Sequence, residues 1–280
     1  MRESSDMYPA KTQSKFPDWY EKTNFQYLEW EGWNLPKSGL QNSDCGKWAW
    51  RGCLNHTAHA DGGIRAQTFR LCCFRSSCPV CSEKWAKRCT ARIMDRLTHS
   101  KKNLKYLKHV VVSPPKWLQY KPIEELRKEA RKIAKRAGIQ GGLDIVHPFR
   151  ERNGQWYLSP HFHYLALGWV TKTDELFQKN GWLVKNIGIR ENPVGTISYL
   201  LSHAGIKKRR HTVTWFGDLS YSKLKIEKLE FKTKCPECEG DFQRLLCFKD
   251  GLVVEPPPIP FEFSDNHEGW KYWLDHVRGY

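Results

Sequence analysis

Between Leu107 and Ala204 the chain carries strand and helix signals in an order that few folds accommodate. Leu107 to Ser113 (LKHVVVS) is valine-rich and reads as a strand, ended by Pro114-Pro115. Pro122 opens a helix in the first-turn position, where its missing N–H costs nothing. Ile123, Leu126, Ala130, Ile133 and Ala137 line that helix, and Gly138 ends it. Gly142 to Val146 is a second strand, Asn153-Gly154 a hairpin turn, and Trp156 to Leu167 a third strand. A short helix over Thr173–Asn180, a fourth strand over Trp182–Ile189 and a helix over Pro193–Ala204 complete the series. The order β-α-β-β-α-β, then α, predicts an α+β chain built on a split βαβ, ferredoxin-like antiparallel sheet. In that topology the first and third strands are central neighbours, so their side chains are held rigidly.

The flanks divide by composition. Residues 1–44 are polar and aromatic without a period, which predicts an N-terminal arm. Residues 45–104 hold most of the cysteines, then a basic helix with Trp85, Cys89, Ile93 and Leu97 in one stripe. The predicted core spans 105–225, with one more strand over His211–Phe216. Residues 226–280 carry a last group of cysteines and a proline-rich tail. The net charge of +16 suits a polyanionic partner, and 13 Trp, 11 Tyr and 13 Phe offer surfaces for unpaired bases. Met1 to Phe16 lacks an apolar signal core, and no run approaches the ~18 apolar residues of a membrane span. The expectation is an intracellular protein without a membrane partner. There, ten cysteines argue for metal ligands rather than disulfides.

His161 and His163 alternate with Phe162 on the third strand, so both imidazoles share one face and can share one divalent ion. Two histidines on a wet sheet face are the plainer reading; the central strand and the basic chain favour the ion. The hairpin register selects the next ligand. A two-residue loop at Asn153-Gly154 puts Asp144 opposite His163, whereas a three-residue loop puts His147 opposite His161. Glu151 is a further candidate near the turn. In the last helix Tyr199 and His203 are four apart and share a face, a nucleophile with a proton-handling neighbour. A structural tyrosine is the alternative. Lys207, Lys208, Arg209 and Arg210 follow that helix and can track a nucleic-acid backbone.

Cys73, Cys78 and Cys81 form a Cys-x4-Cys-Pro-x-Cys turn ahead of the basic helix, which predicts structural Zn2+. Cys53 is the preferred fourth ligand, with Cys45, Cys72, His56 and His59 competing. Cys235-Pro-x-Cys238, with Cys247 nine residues on, predicts a second zinc site whose fourth ligand is not apparent. Buried free cysteines are the alternative for both. Cys89, on the apolar stripe, is assigned to the core.

Three segments together carry a family resemblance. His109 to Pro115 is an apolar strand ending in a small polar residue, Pro160-His161-Phe162-His163 frames the histidine pair, and Ile197 to His203 encloses Tyr199. In order and spacing the chain, over about residues 45–225, resembles HUH endonucleases, and among them the rolling-circle replication initiators of archaeal plasmids and viruses. Ser202 stands where many plasmid initiators have lysine three residues after the tyrosine, with His203 one further on; the single tyrosine matches the one-tyrosine class. The resemblance implies nicking and joining of single-stranded DNA at a replication origin. Mg2+ or Mn2+ on His161 and His163 would polarise the scissile phosphate. Tyr199 would attack phosphorus, leaving a 5′-phosphotyrosine and a free 3′-OH. It also implies host replication proteins as partners in the host cytoplasm. No P-loop pattern is present, so no helicase is expected in these residues. The rival readings are an HUH-type single-strand transposase and a non-catalytic zinc-bearing nucleic-acid-binding protein.

Overall fold

A computed structural model describes residues 29–100, 102–227, 234–249, 252–254 and 277–279. The arm before residue 29, and the proline-rich tail apart from two short strands, lie outside the described residues. The elements in order are β1 (Trp48–Cys53), β2 (Arg65–Arg70), α1 (Ser82–His99), β3 (Lys108–Ser113), α2 (Ile123–Arg136), β4 (Ile139–Arg152), β5 (Gln155–Gly168), α3 (Thr173–Asn180), β6 (Leu183–Ile189), α4 (Pro193–Ser202), β7 (Val213–Gly217), β8 (Gln243–Lys249), β9 (Leu252–Val254) and β10 (Val277–Gly279). They form an α+β structure with two antiparallel sheets.

The central sheet runs β6-β3-β5-β4-β7, with β3 and β5 side by side in its interior. Alternation along the strands sorts the side chains onto two faces. Val110, Val112, Val146, Phe162 and Tyr164 face α2, whose Ile123, Leu126, Ala130 and Ile133 cover them. Leu143, Ile145 and Leu165 face the other way, under Ile93 and Leu97 of α1 and Ile197, Leu200 and Leu201 of α4. Each such apolar side chain contributes about 1.5–3 kcal/mol on burial. α4 is set by its ends: the Asn192 side chain accepts from Gly195 N–H, and Pro193 occupies the first turn.

Two features exceed the sequence reading. Part of the N-terminal segment reaches the core: Trp33 and Leu35 are buried, and Asn34 and Ile206 exchange two backbone hydrogen bonds of 2.9 Å. The cysteine-rich residues 45–81 also contain β1 and β2, and β8 pairs with β1 in the second sheet. A strand from the C-terminal cysteine region therefore lies against the N-terminal one.

Candidate active site and metal centres

β4 and β5 determine which residues meet. The turn between them has two residues, Asn153 and Gly154, both with positive φ (53° and 78°), and Arg152 pairs with Gln155. That register alone would carry Asp144 opposite His163. A bulge between His147 and Phe149 then shifts the pairing by one residue, so that His147 lies opposite His161 and Ile145 opposite His163. Pro148 and Pro160 stand at the bulge, each without an N–H for the ladder. The structure thus combines the short turn with the pairing expected from the longer one.

His147, His161 and His163 come together on the α4 face, with ligand nitrogens all within 4.8 Å of one another. Each ring is prepared differently. His161 Nδ1–H donates to the Ser159 carbonyl (2.7 Å), which leaves Nε2 as the free lone pair. His163 Nδ1 lies 2.7 Å from Nε2 of His109, a residue of β3 for which the sequence offered no separate role. His147 is fully buried, and among the described residues neither of its nitrogens has a hydrogen-bond partner. Burial holds His161 down to about 3, with the Arg150 charge adding to it, and lowers His147 and His163 well below the usual histidine value. Burial, then the Arg190 charge, lowers His109 to about 4. Three neutral imidazoles with converging ligand nitrogens, one of the rings having no hydrogen-bond partner among the described residues, fit a bound dication. Nitrogen donors suit transition-metal dications better than Mg2+, whose ligands are oxygens. Of the two ions expected from the sequence, Mn2+ is the one this donor set suits.

Asp144 does not belong to the set. It lies on the α2 face, opposite Tyr164, and forms ion pairs with Arg127 and Arg131, the latter at 2.8 Å. Thr214 also donates to it (2.9 Å). Strand alternation explains this: residues 144 and 147 differ by an odd number and point to opposite faces. Glu151 is exposed, and its carboxylate caps the Gly154 N–H in the hairpin turn.

Tyr199 and His203 extend the histidine cluster outward. The tyrosine ring is 68% exposed and lies 4.7 Å, centroid to centroid, from His203. His203 in turn meets His147 edge-on at 4.6 Å. Burial lowers the His203 pKa, so its ring is neutral near neutral pH. α4 stops at Ser202, and His203 is its C-cap. The chain then passes so close to β4 that a Cβ on Gly205 would lie 2.5 Å from Pro148 Cδ, while Gly205 N–H donates to the Val146 carbonyl (2.7 Å). Only glycine permits the approach that sets His203 on His147. Beyond it, Lys207 and Arg210 both pair with Glu124, whereas Lys208 and Arg209 are exposed. Beside α1 a cavity of about 1310 Å³ is lined by Arg92, Lys207, Lys208, Arg210, Trp85 and Tyr221 among others.

The cysteines form two four-residue clusters that can each hold a structural metal such as zinc, with one exchange against expectation. Cys45, not Cys53, joins Cys73, Cys78 and Cys81. The turn of residues 45–47 folds back beside the end of β2, where Gly46 N–H donates to the Leu71 carbonyl (3.0 Å). Burial raises the Cys73 thiol pKa, but the Arg75 Nε–H donor at 3.3 Å and the backbone bring it down to about 6, towards the thiolate that binds metal. Cys53 ends β1 and joins His59, Cys235 and Cys238. Its sulfur is 3.5 Å from that of Cys238, and His59 Nε2 is 3.4 and 3.3 Å from Cys235 and Cys238. Tetrahedral zinc spaces such ligands by roughly 3.5–3.8 Å. His59 Nδ1–H donates to the Gly63 carbonyl (2.5 Å), presenting Nε2 to the centre. Arg65 reaches Glu237 (2.6 Å) and further clasps this knuckle to β2. The set is complete without Cys247, which stands in β8 and whose side chain lies outside the described residues. His56 is exposed, and Cys72 is half-buried beside the first cluster without being one of its four ligands. Cys89 packs, half-buried, against the α1–α4 core. Among the described residues no helix is long and apolar enough to cross a membrane.

Comparison with known proteins gives no matching family, no matching curated protein and no matching solved structure.

Proposed function

We propose that this chain is a metal-dependent HUH-type endonuclease that nicks single-stranded DNA and becomes linked to it through Tyr199, as rolling-circle initiators do. The observation that carries this reading is one contiguous path: exposed Tyr199 against His203, His203 against His147, and His147 among the three converging histidines. The element order β3-α2-β4-β5-α3-β6, with sheet order β6-β3-β5-β4, supports the ferredoxin-like core expected of that class.

His147, His161 and His163 would hold the dication, which when bound supplies charge stabilisation to a phosphodiester. Tyr199 is the nucleophile. Its oxygen forms the bond to phosphorus, the bond from phosphorus to the 3′ oxygen breaks, and the departing 3′ oxygen takes a proton from solvent to become the hydroxyl. Neutral His203 accepts the tyrosine proton and is placed to return it in the reverse, joining step. The cavity beside α1, with its arginines, lysines and aromatic rings, suits passage of an unpaired strand. The two cysteine clusters are structural and hold the flanking segments in place.

The test is incubation of the protein with Mn2+ and a randomised single-stranded DNA library, followed by denaturing electrophoresis and peptide mapping. The expected product is a covalent adduct on Tyr199, abolished by chelation and in Tyr199→Phe. Absence of any adduct, or an adduct on another residue, refutes the reading.

A further inference from the structure

Arg150 lies on β4 just past the bulge, and its side chain crosses β5 towards β3. Nε–H donates to Ser159 Oγ (3.2 Å) and an Nη2–H to Ser113 Oγ (2.9 Å). Ser113 follows Val112, which pairs with Phe162, so the same register carries Ser113 to the level of His161. The two hydroxyls fix the plane of the guanidinium and leave three of its five N–H groups outside these bonds. Among the described residues no carboxylate forms an ion pair with it, although burial lowers its pKa. Its two partners place it beside the centre: the Ser159 carbonyl accepts from His161 Nδ1–H (2.7 Å), and Ser113 stands level with His161.

A half-buried cation without a counter-ion, next to a site built for a dication, is unfavourable by itself. An anion lying between the two removes the penalty, and a planar fork matches phosphate oxygens in particular. We propose that Arg150 is the phosphate-binding residue of this centre, its guanidinium receiving a non-bridging oxygen of a phosphodiester lying against the three histidines. The assignment rests on the reading of those histidines as a metal site acting on DNA. It gives the two serines a role: they aim a guanidinium that is in place before the substrate arrives, which is the arrangement that favours charge developing in a transition state.

The test uses full-length wild-type, Arg150→Gln and Arg150→Lys proteins, with melting temperatures compared first so that only folded variants are scored. The dinucleotide TpT is titrated against Mn2+-loaded protein, and binding is read from paramagnetic broadening of its 31P signal. Arg150→Gln is expected to bind TpT at least tenfold more weakly, with Arg150→Lys intermediate. Mn2+ affinity of Arg150→Gln should equal or exceed that of the wild type, because a like charge has been removed. Adduct formation on single-stranded DNA should fall about 10²–10³-fold. TpT affinity within threefold of the wild type, failure of the wild type to bind TpT, or weakened Mn2+ binding in Arg150→Gln overturns the assignment. If Arg150 governs TpT binding while no Tyr199 adduct ever forms, the nicking reading fails and the phosphate site stands.

Discussion

Asp144→Ala separates two roles that the sequence left open for this residue, metal ligand and structural anchor. Asp144 is fully buried. Its carboxylate is shared by Arg127, whose side chain is 11% exposed, and Arg131, which is 32% exposed. Arg127 also donates to the Thr212 carbonyl (3.0 Å), so the network fastens the segment entering β7 to α2. Removing the carboxylate leaves a buried guanidinium without its partner, which costs roughly 3–5 kcal/mol. Arg131 adds little to this, being screened by solvent. For a chain of this size the loss is about 10 °C in Tm. Urea unfolding of the metal-free protein should show the drop, while a Mn2+ titration of the folded variant should match the wild type within twofold. His147→Leu should behave in the opposite way. Its two unpartnered nitrogens are replaced by apolar atoms, so metal-free stability holds or rises, and Mn2+ affinity falls at least tenfold. A loss below about 1 kcal/mol in Asp144→Ala, or a tenfold loss of Mn2+ affinity there, would refute the placement of this residue outside the centre.

Zinc analysis of the native protein should give two ions per chain. Cys45→Ser and Cys53→Ser should each remove one, from different sites; a wild-type content of a single ion contradicts the two-cluster arrangement. Tyr199→Phe should leave stability within about 0.5 kcal/mol, because the ring is exposed, while eliminating the DNA adduct; a residual adduct at the same peptide position rules out its role. The metal-free protein should be acid-labile. His161 is held at about 3 in the folded state against about 6.5 unfolded, so its neutral form favours folding fully above pH 6.5. That contribution disappears as pH falls from 6.5 towards 3, amounting to roughly 5 kcal/mol. The urea midpoint should therefore drop between pH 7.5 and pH 5, and an unchanged midpoint would count against burial of the cluster.

Local patterns in the sequence located the elements of the central sheet, although the strand expected over Gly142–Val146 runs from Ile139 to Arg152. Pro122 and Gly138 bracket α2, the Thr173–Asn180 helix lies where it was expected, and His161 and His163 share a face because strand geometry requires it. Pairings between distant residues were not legible. β1 and β2 lie within a cysteine-rich stretch whose spacing read as metal ligands. The exchange of Cys45 for Cys53 follows from β8 pairing with β1, which brings together Cys53 and Cys238, 185 residues apart. His109 and Arg150 were missed for the same reason: each acquires its role from a neighbouring strand, His109 from His163 and Arg150 from Ser113 and Ser159.

The bulge shows how little sequence is needed to change the chemistry of a strand pair. With the hairpin register carried through unbroken, His147 would pair with Pro160 instead of His161. Two prolines remove two ladder donors at the same level, the pairing shifts by one, and His147 is brought opposite His161. Beyond the same irregularity, Arg150 reaches Ser159 and Ser113 across the central strands. Replacing Pro148 by Ala restores an N–H and permits the unbroken register. It should therefore weaken Mn2+ binding through His147 and, because residues 144–147 shift together, pull Asp144 away from Arg127 and Arg131 and lower stability as well. A Pro148→Ala variant that keeps wild-type Mn2+ affinity would show that the sheet as a whole, rather than its prolines, imposes the shift.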